Sequence, residues 1–116
     1  MAKFMFLMRG DCTQAAEMSP EQKQQTMQEY GAWFQDGMQA GWLLDTGNGL
    51  DADGRVVHPD QTVTDGPFAE SKELVGGYML VEAADYDTAV ELVKGSPMVK
   101  GGSTIEVRKL AENAME

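Results

Sequence analysis

The sequence predicts an α+β domain in which two helices pack on one face of an antiparallel sheet. Three observations carry this. Two stretches repeat apolar residues at helical spacing, four stretches carry them in strand patterns, and the order is β-α-β, a short hairpin, then β-α-β. The 116 residues suit one domain. Residues 1–110 form the folded unit, and 111–116 form a tail expected to fray.

Lys3 to Met8 reads as a buried strand, with Phe4, Phe6 and Met8 on one side and Met5 and Leu7 on the other. Ser19-Pro20-Glu21-Gln22 starts a helix: Ser19 caps, Pro20 fits the first turn and Gln22 completes a capping box. Met27, Tyr30, Phe34 and Met38 then form an apolar stripe that Trp33 widens, and Gly41 ends the helix. Gly31 and Gly37 weaken that helix unless close packing on the sheet compensates. Trp42-Leu43-Leu44 begins a second strand, broken at Gly47-Asn48-Gly49. Arg55-Val56-Val57 and Thr62-Val63-Thr64 flank a turn at His58-Pro59-Asp60, an inserted hairpin. Gly77 to Glu82 alternates as a strand, with Met79 and Val81 on one face and Tyr78 and Leu80 on the other. Asp85 caps a short helix with the stripe Tyr86, Ala89, Val90 and Val93, which Gly95 stops. Thr104 to Lys109 is the last strand. The whole is a ferredoxin-like βαββαβ sandwich with an inserted hairpin.

Two helices on one sheet face leave the other face open, and an open face should be polar. Phe4, Phe6, Tyr78 and Leu80 are not solvent-facing choices. The economical resolution is a homodimer, sheet face against sheet face, as in a dimeric α/β barrel.

Composition narrows the function. Nine Lys and Arg against nineteen Asp and Glu give a net charge of −10, which argues against direct nucleic-acid binding and against anionic membranes. Cys12 is the sole cysteine, so no internal disulfide forms and a reducing, cytoplasmic location is expected. One Cys and one His exclude a structural zinc site. Asp51-Ala52-Asp53-Gly54 lacks the later ligands of a calcium loop. No Gly-rich phosphate motif or nucleophile elbow is present, and neither cofactor nor metal is expected. The nine methionines read as flexible core filling.

Few residues are left to carry chemistry. Asp65-Gly66-Pro67-Phe68 builds a rigid turn by its residue types alone, and the same turn could present the Asp65 carboxylate to a cleft as an acid or base. Glu70, Lys72 and Glu73 read as a solvated charge cluster. Glu106 and Arg108 alternate with Ile105 and Val107. If the latter pair faces the helices, the former lines the open face, either as an ion pair or as a grip on an anionic ligand. Tyr78 and Phe68 complete the candidate ligand-binding set. His58, in its turn, reads as exposed, and Cys12 has no recognisable base.

Asp65 through Glu73, followed by Gly76-Gly77-Tyr78, closely resembles the DGPF signature of the YCII-related domain family. Lys94-Gly95-Ser96-Pro97, Gly101-Gly102 and Ile105-Glu106-Val107-Arg108 resemble that family's C-terminal motif. The resemblance implies a ferredoxin-like fold assembling as a dimeric α/β barrel. It also implies a link to sigma factors, and hence a sigma-factor-linked protein partner, since related modules occur beside them. Other relatives are suspected enzymes with a His–Asp pair. Here neither motif contains a His, and Ser96 stands where many relatives have Cys. These readings favour a dimeric small-molecule-binding or regulatory protein. Behind it come an enzyme using Asp65 as acid or base on a small polar or anionic substrate, and then a purely structural module.

Overall fold

The computed structural model of the protein describes residues 1–9, 18–51, 53–65 and 74–111. In chain order the elements are β1 (Ala2–Arg9), α1 (Pro20–Ala40), β2 (Leu43–Gly49), β3 (Arg55–Val57), β4 (Val63–Asp65), β5 (Val75–Ala83), α2 (Tyr86–Lys94), α3 (Pro97–Lys100) and β6 (Thr104–Lys109). Four strands form one sheet in the order β2-β5-β1-β6, antiparallel at every pairing. β1 and β2 are therefore parallel, with β5 inserted between them, which is a split β-α-β arrangement. β3 and β4 form a separate two-stranded hairpin.

The helix start expected at Ser19 is present in full. Gln22 N–H donates to the Ser19 hydroxyl, and the Gln22 side chain accepts from Ser19 N–H. Gly41 closes α1 with φ 88°, a left-handed conformation, and its N–H donates to the Gly37 and Met38 carbonyls.

The buried face of α1 differs from the expected stripe. Met27 and Met38 are 74% and 59% exposed, while Tyr30, Trp33 and Phe34 pack against the core and Gly37 is buried. This face is an i, i+3, i+4, i+7 set, rotated slightly from the predicted one. Gly37 accounts for the rotation. A Cβ there would lie 2.7 Å from Trp42 Cη2 and 2.9 Å from Leu43 Cβ, so the helix meets the start of β2 backbone to side chain. Trp33 and Trp42 complete that contact edge to face, 4.9 Å between ring centres. Gly31 has nothing within 4 Å of its would-be Cβ, so no close packing compensates for it.

The core lies between sheet and helices. Phe4, Phe6, Met79 and Val81 from the central strands meet Ala89 and Val93 of α2. The expectation that Phe4 and Phe6 help line the open face is corrected here: both are fully buried on the helix side, and Tyr86 of α2 packs edge-on against Phe4. Met5, Leu7, Tyr78 and Leu80 are the apolar residues of the opposite face, and each is half-buried. No described helix covers that face, and the chain measures only 18 Å along its shortest axis.

Two further differences concern local structure. β2 continues through Gly47-Asn48-Gly49, with irregular pairing to β5. It does so because Gly47 takes φ 67°, and its missing Cβ leaves room for the Tyr78 carbonyl. Beyond α2, Ser96 and Pro97 start the short α3, where the buried Ser96 hydroxyl accepts from Val99 N–H at 3.4 Å. Among the described residues no helix is long and apolar enough to cross a membrane.

Candidate functional site

Strand register assembles the site on the open sheet face. Across β5, β1 and β6, Tyr78 lies opposite Leu7 and Leu7 opposite Glu106. In the next row Leu80 lies opposite Met5 and Met5 opposite Arg108. Arg9, at the end of β1, pairs with Thr104 and shares the face of Leu7 and Met5. Asn48 of β2 extends the first row, and its side-chain amide donates to the Tyr78 hydroxyl at 3.4 Å. The result is an apolar strip edged by polar and charged groups.

Glu106 is the centre of the charged edge. Arg9 Nη1 donates to Glu106 Oε1 at 2.6 Å, and Arg108 Nη1 donates to Oε2 at 3.2 Å. The two guanidiniums, Arg108 first and Arg9 second, hold the Glu106 carboxyl below its ordinary value. Arg9 and Glu106 are about one-third exposed, and Arg108 is 67% exposed, so Arg108 is the water-facing member. Arg9 Nε is buried, with no hydrogen-bond partner among the described residues.

The sequence-predicted residues divide into three groups. Glu106 and Arg108 are brought together as expected, and Tyr78 shares their face with Leu7 between. Asp65 is the last residue of β4, in the two-stranded hairpin, and the rest of its predicted turn, Gly66 to Phe68, lies outside the described residues. Its side chain is 83% exposed, and its carboxylate forms an ion pair with Arg55, Nε to Oδ1 3.3 Å. Phe68 lies outside the described residues, as do Cys12, Gly66, Pro67, Glu70, Lys72 and Glu73. His58 is exposed at the hairpin turn, with Nε2 3.0 Å from the Thr64 hydroxyl oxygen. Among the described residues no group of three or more His, Cys, Asp or Glu side chains converges to hold a metal ion.

Arg9 is the member that sequence reasoning missed. The signal was present: extending the alternation of the first strand by one position puts Arg9 in line with Met5 and Leu7. On the other side of the molecule a hollow of about 200 Å³ lies between α1 and α3, lined among others by Thr26, Tyr30, Met98 and Lys100.

Comparison with known proteins bears on the fold and the family. Among solved structures, the chain is similar to 5-chloro-2-hydroxyhydroquinone dehydrochlorinase from Burkholderia phenoliruptrix, determined in complex with 2,5-dihydroxybenzoquinone. The TM-score is 0.53 at 12% sequence identity, covering 96% of this chain and 95% of that chain. At that identity the likeness is one of fold. No curated protein matches the chain. The family model of the YCII-related domain matches residues 2–112, which is nearly the whole sequence, and the chain belongs to that family.

Proposed function

We propose that the protein is a homodimeric small-molecule-binding module that seats a small polar or anionic ligand on its open sheet face. In this reading a ferredoxin-like sandwich joins a second copy, face to face, as a dimeric α/β barrel. The observation that carries the ligand site is the cluster of Arg9, Glu106 and Arg108 beside the strip formed by Met5, Leu7, Tyr78 and Leu80. Two guanidiniums around one carboxylate leave a local positive excess on a chain of net charge −10. Such a spot, shielded by apolar neighbours, favours an anion carried on an apolar or aromatic body.

The open face supports the dimer: Met5, Leu7, Tyr78 and Leu80 form an apolar strip that no described helix covers, and a homodimer buries such a face. Sedimentation equilibrium at micromolar concentration is expected to give a dimer, and a clean monomer there ends the barrel reading. Calorimetric titration with 2,5-dihydroxybenzoquinone and with benzoate tests the ligand site. Saturable binding that Arg108→Ala weakens about tenfold is expected from loss of one charge-assisted hydrogen bond. Failure of both compounds to bind the open face removes the reading.

One observation favours a second reading, an enzyme with Asp65 as acid or base: a solved structure of similar fold is named a dehydrochlorinase. Asp65 is open to solvent and shared with Arg55, so a catalytic role requires Arg55 to release it when substrate arrives. Assay of a chlorinated hydroquinone with wild type and Asp65→Asn separates the readings. Turnover lost with binding retained makes the protein an enzyme; no turnover in the wild type leaves the binding module.

A further inference from the structure

We infer that Arg9 is the group that grips the two-oxygen end of the ligand, and that the ligand is an aromatic or similarly flat carboxylate. This rests on the reading of the open sheet face as a ligand floor, and it adds the residue and the chemical class. A guanidinium has a fixed fork of five N–H donors, and one edge, made of Nε and the adjacent Nη2, matches the two oxygens of a carboxylate. In Arg9 the Glu106 contact is made by Nη1, away from that edge. The edge itself carries a buried Nε without a partner among the described residues. A buried donor left unsatisfied destabilises a protein, so its presence in a site asks for a partner that arrives with the ligand.

The surroundings fit the class. Leu7 lies two residues from Arg9 on the same face, with Tyr78 opposite it on β5, a flat apolar seat for a ring beside the guanidinium. Glu106 does not depend on Arg9 alone, because Arg108 holds its other oxygen. Arg9, itself 30% exposed, can therefore turn its edge toward an incoming carboxylate while Glu106 keeps one cationic partner. Arg108 serves as the water-facing half of the clamp, and Arg9 makes the directional contact.

Benzoate is the probe, and phenol, the same ring without the two-oxygen end, is the control. The Nε–H resonance of Arg9, assigned through bonds in the wild-type protein, is expected to move on benzoate saturation and to stay in place with phenol. Arg9→Lys keeps the charge and can keep the Glu106 ion pair, but it lacks the two-donor edge. It is expected to weaken benzoate about tenfold or more, with little change for phenol. If benzoate shifts the Leu7 and Tyr78 resonances while Arg9 Nε stays still and Arg9→Lys keeps its affinity, Arg9 is only a partner of Glu106 and the ligand-floor reading survives. If neither benzoate nor 2,5-dihydroxybenzoquinone perturbs any residue of the open face, both fall together. The resonance is read on the wild type, so the outcome does not hang on whether the variant folds.

Discussion

Gly31 and Gly37 lie on the same helix and are expected to respond oppositely to the same substitution. Gly37→Ala pushes a methyl group into Trp42 and Leu43, and overpacking of this kind costs about 1–3 kcal/mol, more than the helix propensity recovers. Gly31→Ala meets open space and is expected to stabilise by about 0.5–1 kcal/mol. Urea unfolding of the two variants beside wild type checks both signs. The sequence marks both residues as weak points in a helix and cannot tell them apart, because Trp42 reaches Gly37 only after the chain has turned back at Gly41. Glu106 makes a prediction in pH. Its folded-state pKa is depressed by Arg108 and then Arg9, so the unfolded chain takes up the proton first as pH falls. The stabilising effect of its ion pairs is whole above the ordinary glutamate range and disappears as pH drops through the lowered folded value. Stability measured from pH 7 to pH 3 should therefore decline on the acid side, less steeply in Glu106→Gln and less steeply in high salt.

Single elements were readable where the signal was local. The caps at Ser19 and Asp85 and the alternation of the last strand depend on neighbours within a turn or a pleat, and the structure has them in place. Elements that depend on a distant partner were misread. The Gly47-Asn48-Gly49 segment has the composition of a break, yet β5 alongside holds it as strand. The same dependence makes Gly47→Ala a severe change: a Cβ would strike the Tyr78 carbonyl, in a backbone conformation that disfavours alanine. Loss of amide protection along β2, with β1 and β6 less affected, is the expected hydrogen-exchange result. The Ser96-Pro97 start of α3 repeats the Ser19-Pro20 signal, but four residues are too few for helical periodicity to reveal. Ser96→Ala removes the oxygen that accepts from Val99 N–H and should destabilise by about 1 kcal/mol, measured as a lowered Tm.

At the scale of the molecule, element order was legible, while the side of the sheet each residue takes was only partly so. Ile105 and Val107 face the helices and Glu106 and Arg108 the open side, as alternation requires. Only the charged ends of one row, Lys3 and Arg9, separate Met5 and Leu7 from Phe4 and Phe6, because the middle of the strand is apolar on both sides. Two thin layers with one apolar face left open are what a half-built core looks like, and the charged edge at Glu106 was visible only as an interruption in that pattern. The strand order has a separate consequence for how the chain reaches this state. β1 is central, yet both of its neighbours, β5 and β6, come from most of the chain's length away. The sheet cannot close around its middle until the last strand is in hand, so loop-closure entropy is met before the central pairings compensate for it. Refolding on the order of milliseconds to seconds is expected from such non-local pairing, slower than a helical bundle of equal length. Ending the chain before Thr104 should leave β1 with a bare edge and abolish the cooperative unfolding transition, which circular dichroism in urea will register directly.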